Sequence, residues 1–127
     1  MRNTLKTILL SCVLGLSCTA AAESPAQAEK DISYLLEFVA TSNCTFVRNG
    51  ERYDGADTAD HLRDKYNRDK RHVHSAEQFI SRVASKSSLT GTPYTVKCED
   101  SEPETTGRWL HQALAVYRNQ LDPYRDR

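Results

Sequence analysis

His61 stands one helical turn after Asp57, the spacing at which a carboxylate can orient an imidazole for acid–base work. A hydrolase built on that pair also needs a nucleophile. Ser85, Ser87, Ser88 and Thr90 offer hydroxyls. Their stretch holds neither a Gly-x-Ser-x-Gly elbow nor a Ser-x-x-Lys motif. Ser87 to Pro93 reads first as a helix end followed by a turn. His72 and His74 flank Val73, an extended pair that can chelate. Zinc takes three or four protein ligands, and spacing brings neither His61, Asp69 nor His111 to that pair. A solvated basic connector is the simpler reading, and no metal or other cofactor is expected.

Recognition is the other chemistry these residue types support. Arg63 to His74 carries five Lys or Arg residues, with Tyr66 as its one aromatic. That is no stacking platform for nucleic acid, so an acidic partner or an anionic envelope surface fits better. Arg48 precedes Asn49-Gly50, the strongest hairpin-turn dipeptide of the chain, and would stand beside a rigid turn. The expected recognition surface comprises Arg48, Asn49, His61, Lys65, Ser88, Thr90 and Tyr94, and no residue is assigned to catalysis.

The elements that must position these residues can be read from periodicity. Ile32, Leu35, Leu36 and Val39 predict a helix over 30–41, with Asp31 in its first turn. Cys44-Thr45-Phe46-Val47 predicts a strand, and Glu51-Arg52-Tyr53 a short return. Ala59, Leu62 and Tyr66 form the inner stripe of a helix over 56–67, capped by Asp54 or Asp57. Ser75-Ala76-Glu77-Gln78 is a capping box for a third helix, whose core face is Phe79, Ile80, Val83 and Ala84. Tyr94 to Cys98 predicts a second main strand after Pro93. Trp109, Leu110, Ala113, Leu114, Tyr117 and Leu121 mark a last helix, capped by Ser101 with Glu104, by Thr105 or by Thr106. The expected fold is α+β: about four helices on a small two- or three-stranded antiparallel element.

The N-terminus carries a basic start at Arg2 and Lys6, an apolar stretch from Ile8 to Leu16, and small residues at Ala20-Ala21-Ala22. These are the parts of a secretory signal. Residues 1–22 are therefore expected to be removed on export to the periplasm. Residues 23–29 read as a flexible leader, 30–122 as a single globular domain and 123–127 as a tail. Lipidation of Cys18, giving an anchored lipoprotein, is the alternative. Cys44 and Cys98 then remain, and an even count in an oxidising compartment reads as one disulfide. It would close a loop of about 54 residues, worth roughly 4 kcal/mol. A reactive thiol or a thiolate metal ligand is the competing reading, and no Cys-x-x-Cys supports it.

Length and charge bound the rest. The chain has 127 residues, 17 Lys and Arg against 17 Asp and Glu, 39% hydrophobic and 27% charged residues. That excludes a multidomain enzyme, and the charge is too even to predict nucleic acid or an anionic membrane as a bulk partner. After Ala22 no apolar run reaches bilayer length.

Several runs carry a resemblance: Tyr34-Leu35-Leu36, Ser42 to Gly50, His61-Leu62, Lys65-Tyr66, Phe79-Ile80, Ser87 to Tyr94, Cys98, Trp109-Leu110 and Tyr117-Arg118. Together they resemble a family of small exported bacterial proteins classed as a domain of unknown function. The resemblance implies an exported Gram-negative protein with Cys44 and Cys98 paired, and it implies no reaction. The expected function is a non-enzymatic periplasmic binding or interaction module, with an envelope protein or glycan as partner. A periplasmic immunity or inhibitor protein is one alternative. A small hydrolase using His61 with a hydroxyl from Ser87 to Thr90 is the other.

Overall fold

The structure, a computed structural model, describes Gly15 and residues 23–122. The export signal, the Cys18 alternative and the 123–127 tail fall outside the described residues. Helix α1 spans Pro25–Thr41 and begins earlier than the apolar stripe alone predicts. Ser24 accepts a hydrogen bond from the Gln27 N–H at 3.2 Å, and Pro25 occupies the first turn, where no donor is lost. The expected flexible leader is thus mostly helix, with Ala28 buried in it. Asp31, expected in the first turn, sits inside the helix and is 1% exposed.

Ile32, Leu35, Leu36 and Val39 of α1 meet Ala59, Leu62 and Tyr66 of α2 (Gly55–Asp69) in the core. Asp54 caps α2 by accepting from the Asp57 N–H at 2.8 Å. Gly55, the first residue of α2, packs against the C-terminal end of α1. A Cβ there would lie 2.3 Å from the Val39 carbonyl oxygen, so only glycine fits.

Strands β1 (Thr45–Arg48) and β2 (Glu51–Tyr53) form a hairpin around Asn49 and Gly50, whose φ angles of 51° and 81° are those of a primed turn. Strand β3 (Thr95–Lys97) pairs with β1, and β4 (Glu104–Thr105) pairs with β3. The sheet is antiparallel throughout, with order β2-β1-β3-β4, one strand more than expected. Phe46 opposes Val96 and both face the core. The Cys44–Cys98 disulfide ties the same two strands just beyond Thr45 and Lys97, across a sequence separation of 54. Its two cysteines are only partly buried.

A 3₁₀ turn at Lys70–His72 leads to α3 (Ala76–Phe79), capped by Ser75. The chain then widens into a π-helical turn over Ile80–Ala84. The Ser85 hydroxyl donates to the Ile80 carbonyl, five residues back, at 2.5 Å. Phe79, Ile80, Val83 and Ala84 are all buried, as their spacing predicts. Helix α4 (Thr106–Leu121) is capped by Thr105 and inserts Leu110 and Leu114 into the core. Among the described residues no helix is long and apolar enough to cross a membrane.

Candidate functional site

Helix α2 presents His61 and Lys65 one turn apart on the side that meets the entry to β3. Tyr94 opens that strand, and its backbone is held from both directions. Its N–H donates to the Ser85 carbonyl, and its carbonyl accepts from the Thr106 N–H, each at 2.9 Å. The phenol is thereby fixed beneath α2, with the residue only 3% exposed. Its oxygen lies 3.3 Å from Lys65 Nζ and 3.4 Å from His61 Nε2. Lys65 donates again to the Lys86 carbonyl, at 2.9 Å. An ammonium has three donors, so two are satisfied inside the fold.

Every cationic group around this junction pushes against the others. Burial lowers the Lys65 pKa to about 8, helped by the nearby Arg48 and Arg68 charges. Burial also lowers His61, again with help from Arg48, Lys65 and Arg68 and against the opposing charge of Asp64. The Tyr94 hydroxyl accepts from Lys65 and keeps its own proton to share with His61 Nε2. Burial raises the Tyr94 phenol, so it stays protonated as that relay needs. Arg48 stacks its guanidinium 3.8 Å above the Tyr53 ring, and its Nε is buried with no acceptor. Among the described residues, none of Arg48, Lys65 and Arg68 forms an ion pair. This arrangement can hold an anion.

The loop from Lys86 to Pro93 borders the site. Its base is closed by a β-bridge between these two residues and by the Ser87 N–H donating to the Thr92 carbonyl at 3.0 Å. The Gly91 N–H returns to the Ser87 carbonyl at 3.0 Å, and Gly91 has φ 70°. The Thr90 hydroxyl donates to Asn49 Oδ1 at 3.2 Å, joining the loop to the hairpin tip.

Of the seven expected recognition residues, the structure brings Arg48, His61, Lys65 and Tyr94 to one junction. It joins Asn49 to Thr90 at its edge. Ser88 lines a neighbouring cleft that Lys65 also reaches. The hydroxyl in reach of His61 is that of Tyr94, not of Ser87, Ser88 or Thr90. The Ser87 hydroxyl accepts from the Thr90 N–H, and among the described residues Asp57 makes no hydrogen bond to His61. His72 pairs with Asp69 at 2.8 Å instead of joining His74. Among the described residues no three of His, Cys, Asp and Glu converge as a metal site.

A second polar cluster escaped the sequence reading. Arg118 of α4 reaches Asp31 and Glu23, each at 3.1 Å, and also Glu77. Burial opposes ionisation of Asp31, but hydrogen bonds from Glu23, Gln27 and Arg118 outweigh it and hold its carboxyl below the ordinary value. The Arg118 hydrogen bond lowers Glu77, while burial and the neighbouring Asp31 raise Glu23. Arg118 is held more firmly protonated than usual, chiefly by Glu77. The signal was present: Asp31 lies one turn before Leu35 on a stripe that is otherwise apolar, and a buried acid requires a partner.

Residues 26–118 match the Family of unknown function (DUF5329). The chain is 38% identical over 90 residues to "Uncharacterized protein YfeK" of Salmonella typhimurium, covering 70% of this chain and 75% of the relative. No solved structure matches. With both the family pattern and a relative covering most of the folded region, the chain belongs to the DUF5329 family, whose function is unknown.

Proposed function

We propose that the protein is a non-enzymatic binding module of the bacterial periplasm that recognises an acidic partner through the Lys65 junction. One observation carries this reading. Lys65 is buried, faces Arg48 and Arg68, and among the described residues forms no ion pair with a carboxylate. Uncompensated buried charge is costly, and an anionic ligand supplies the missing counter-charge. The signal-like N-terminus and the cysteine pair support export, with a Cys18-anchored lipoprotein as the alternative form. An acidic envelope protein or glycan is the corresponding partner.

The test is an NMR titration of the disulfide-bonded protein with polyglutamate and with polygalacturonate. Amide shifts centred on Arg48, His61, Lys65 and Tyr94 are expected, reversed by salt as exposed charge pairing requires. Arg48→Gln should weaken them without unfolding the protein. Shifts that are absent, or that ignore Arg48→Gln, would overturn the reading.

A further inference from the structure

Beside the junction, between α2 and the π-helical turn, lies a cleft of about 690 Å³. Lys65 and Arg68 come to it from α2, Ser81 from the turn, and Lys86, Ser88 and Leu89 from the loop. Its one acid, Asp69, is already engaged: Arg82 Nε lies 3.2 Å and His72 Nδ1 2.8 Å from its two oxygens. Both partners hold that carboxyl below its ordinary pKa. Lys65, Arg68 and Lys86 are left, and among the described residues none of them has an ion-pair partner.

Two further features shape the cleft. The π-helical turn departs from α-helix geometry at its wall, a distortion that is frequent at functional sites. At the rim, Leu89 is 97% exposed. A lone exposed leucine is ordinary. This one sits on a loop whose base is closed by backbone hydrogen bonds and whose side is fastened to Asn49. The fold therefore holds an apolar side chain in water beside three unbalanced cations.

Resting on the anionic reading above, we infer that this cleft takes the phosphate headgroup of a membrane lipid, with Leu89 entering the adjoining acyl region. Three cations and two serine hydroxyls converging on one cleft match a compact oxyanion with several acceptor oxygens better than a single carboxylate. An apolar side chain beside that group matches an amphiphile better than free phosphate. With one leucine inserted, binding is reversible and depends on salt.

Co-sedimentation with phosphatidylglycerol–phosphatidylcholine vesicles tests this, together with an NMR titration against inorganic phosphate. The protein is expected to pellet with vesicles containing phosphatidylglycerol and not with phosphatidylcholine alone. Combined Arg68→Glu and Lys86→Glu, both at exposed positions, should lower partitioning at least about tenfold, since each cation near an anionic surface matters. Leu89→Ser should lower vesicle binding a few-fold while leaving the phosphate-induced shifts at Ser81 and Ser88 unchanged. Vesicle binding that is absent, or equal in the doubly reversed variant, overturns the inference. Phosphate shifts without vesicle binding overturn the lipid as ligand. If polyglutamate still binds through Arg48 while vesicles do not, the lipid assignment falls alone. If neither binds, both readings fall.

Discussion

Around Arg118 one guanidinium meets three carboxylates, whereas Lys65, Arg48 and Arg68 meet no carboxylate in an ion pair among the described residues. Both sites use a charged side chain at the margin of the core. At Arg118 the charges are consumed within the fold: α1, α3 and the residue before Ser24 are all drawn to α4. At Lys65 the fold satisfies donors with a carbonyl and a phenol but leaves the charge uncompensated. The contrast teaches how to separate a structural ion cluster from a binding site. What matters is the balance of charge after internal partners are counted, not the number of charged residues.

Breaking the staple should separate the two regions most strongly. Cys98→Ser is expected to cost roughly 4 kcal/mol in chemical denaturation, from the long loop the bond closes. Hydrogen exchange should then accelerate at β1 and β3, which carry Arg48 and lead out of Tyr94, more than at the α1–α4 contact. Equal acceleration everywhere would mean that the Lys65 side does not depend on the sheet.

Next in size, Arg118→Met should destabilise the protein by about 3 kcal/mol, because it leaves Asp31 buried without its cation. Denaturant midpoints check this, and a change below about 1 kcal/mol would show that Gln27 and Glu23 suffice to satisfy Asp31.

Lys65 should behave in the opposite sense. Its folded pKa of about 8 lies below the ordinary 10.5 of an unfolded lysine. Between those values the unfolded chain holds a proton that the folded chain has lost. Stability therefore rises as pH climbs through this window, by on the order of 1 kcal/mol after solvent screening. Anion binding weakens over the same range, since the ammonium disappears. Lys65→Met should remove both trends. Stability and binding moving together across this window would contradict the uncompensated charge.

The smallest effect is expected at Asp60. It pairs with Arg63 at 2.9 Å on the open surface, and Asp60→Ala should change stability by less than about 0.5 kcal/mol. A larger loss would mean that surface pairs here do more than balance charge locally.

Local patterns made much of this fold legible. The apolar stripes of α1, α2 and α4 repeat at helical spacing, and Asn49-Gly50 specifies a turn that needs no tertiary context. The cysteine pair followed from an even count and its setting. What escaped was non-local or geometrically unusual. Strand β4 is two residues long, too short to show any alternation. The π-helical turn keeps the same buried residues that an α-helix would, so its periodicity conceals it. The start of α1 was hidden because Ala, Gln and Glu around Pro25 suit a leader and a helix equally. At the candidate site, His61 and Lys65 were visible as residues one turn apart. Arg68 was one cation of a charged stretch and Lys86 carried no signal; only the fold brings both to the cleft of Lys65, where Asp69 is already paired with His72 and Arg82.

The strand order carries a kinetic consequence. The central pair of the sheet joins β1 to β3, and α2 and α3 lie within the stretch of chain between them. Neighbouring helices can find each other over short sequence distances, but the sheet must wait for the closure of a long loop. A fragment ending before Thr95 holds only the β1–β2 hairpin, and an isolated hairpin is marginal in water. Cut one residue earlier, before Tyr94, it also lacks the phenol that anchors Lys65. The anion-binding face is therefore among the last parts of the molecule to acquire its shape.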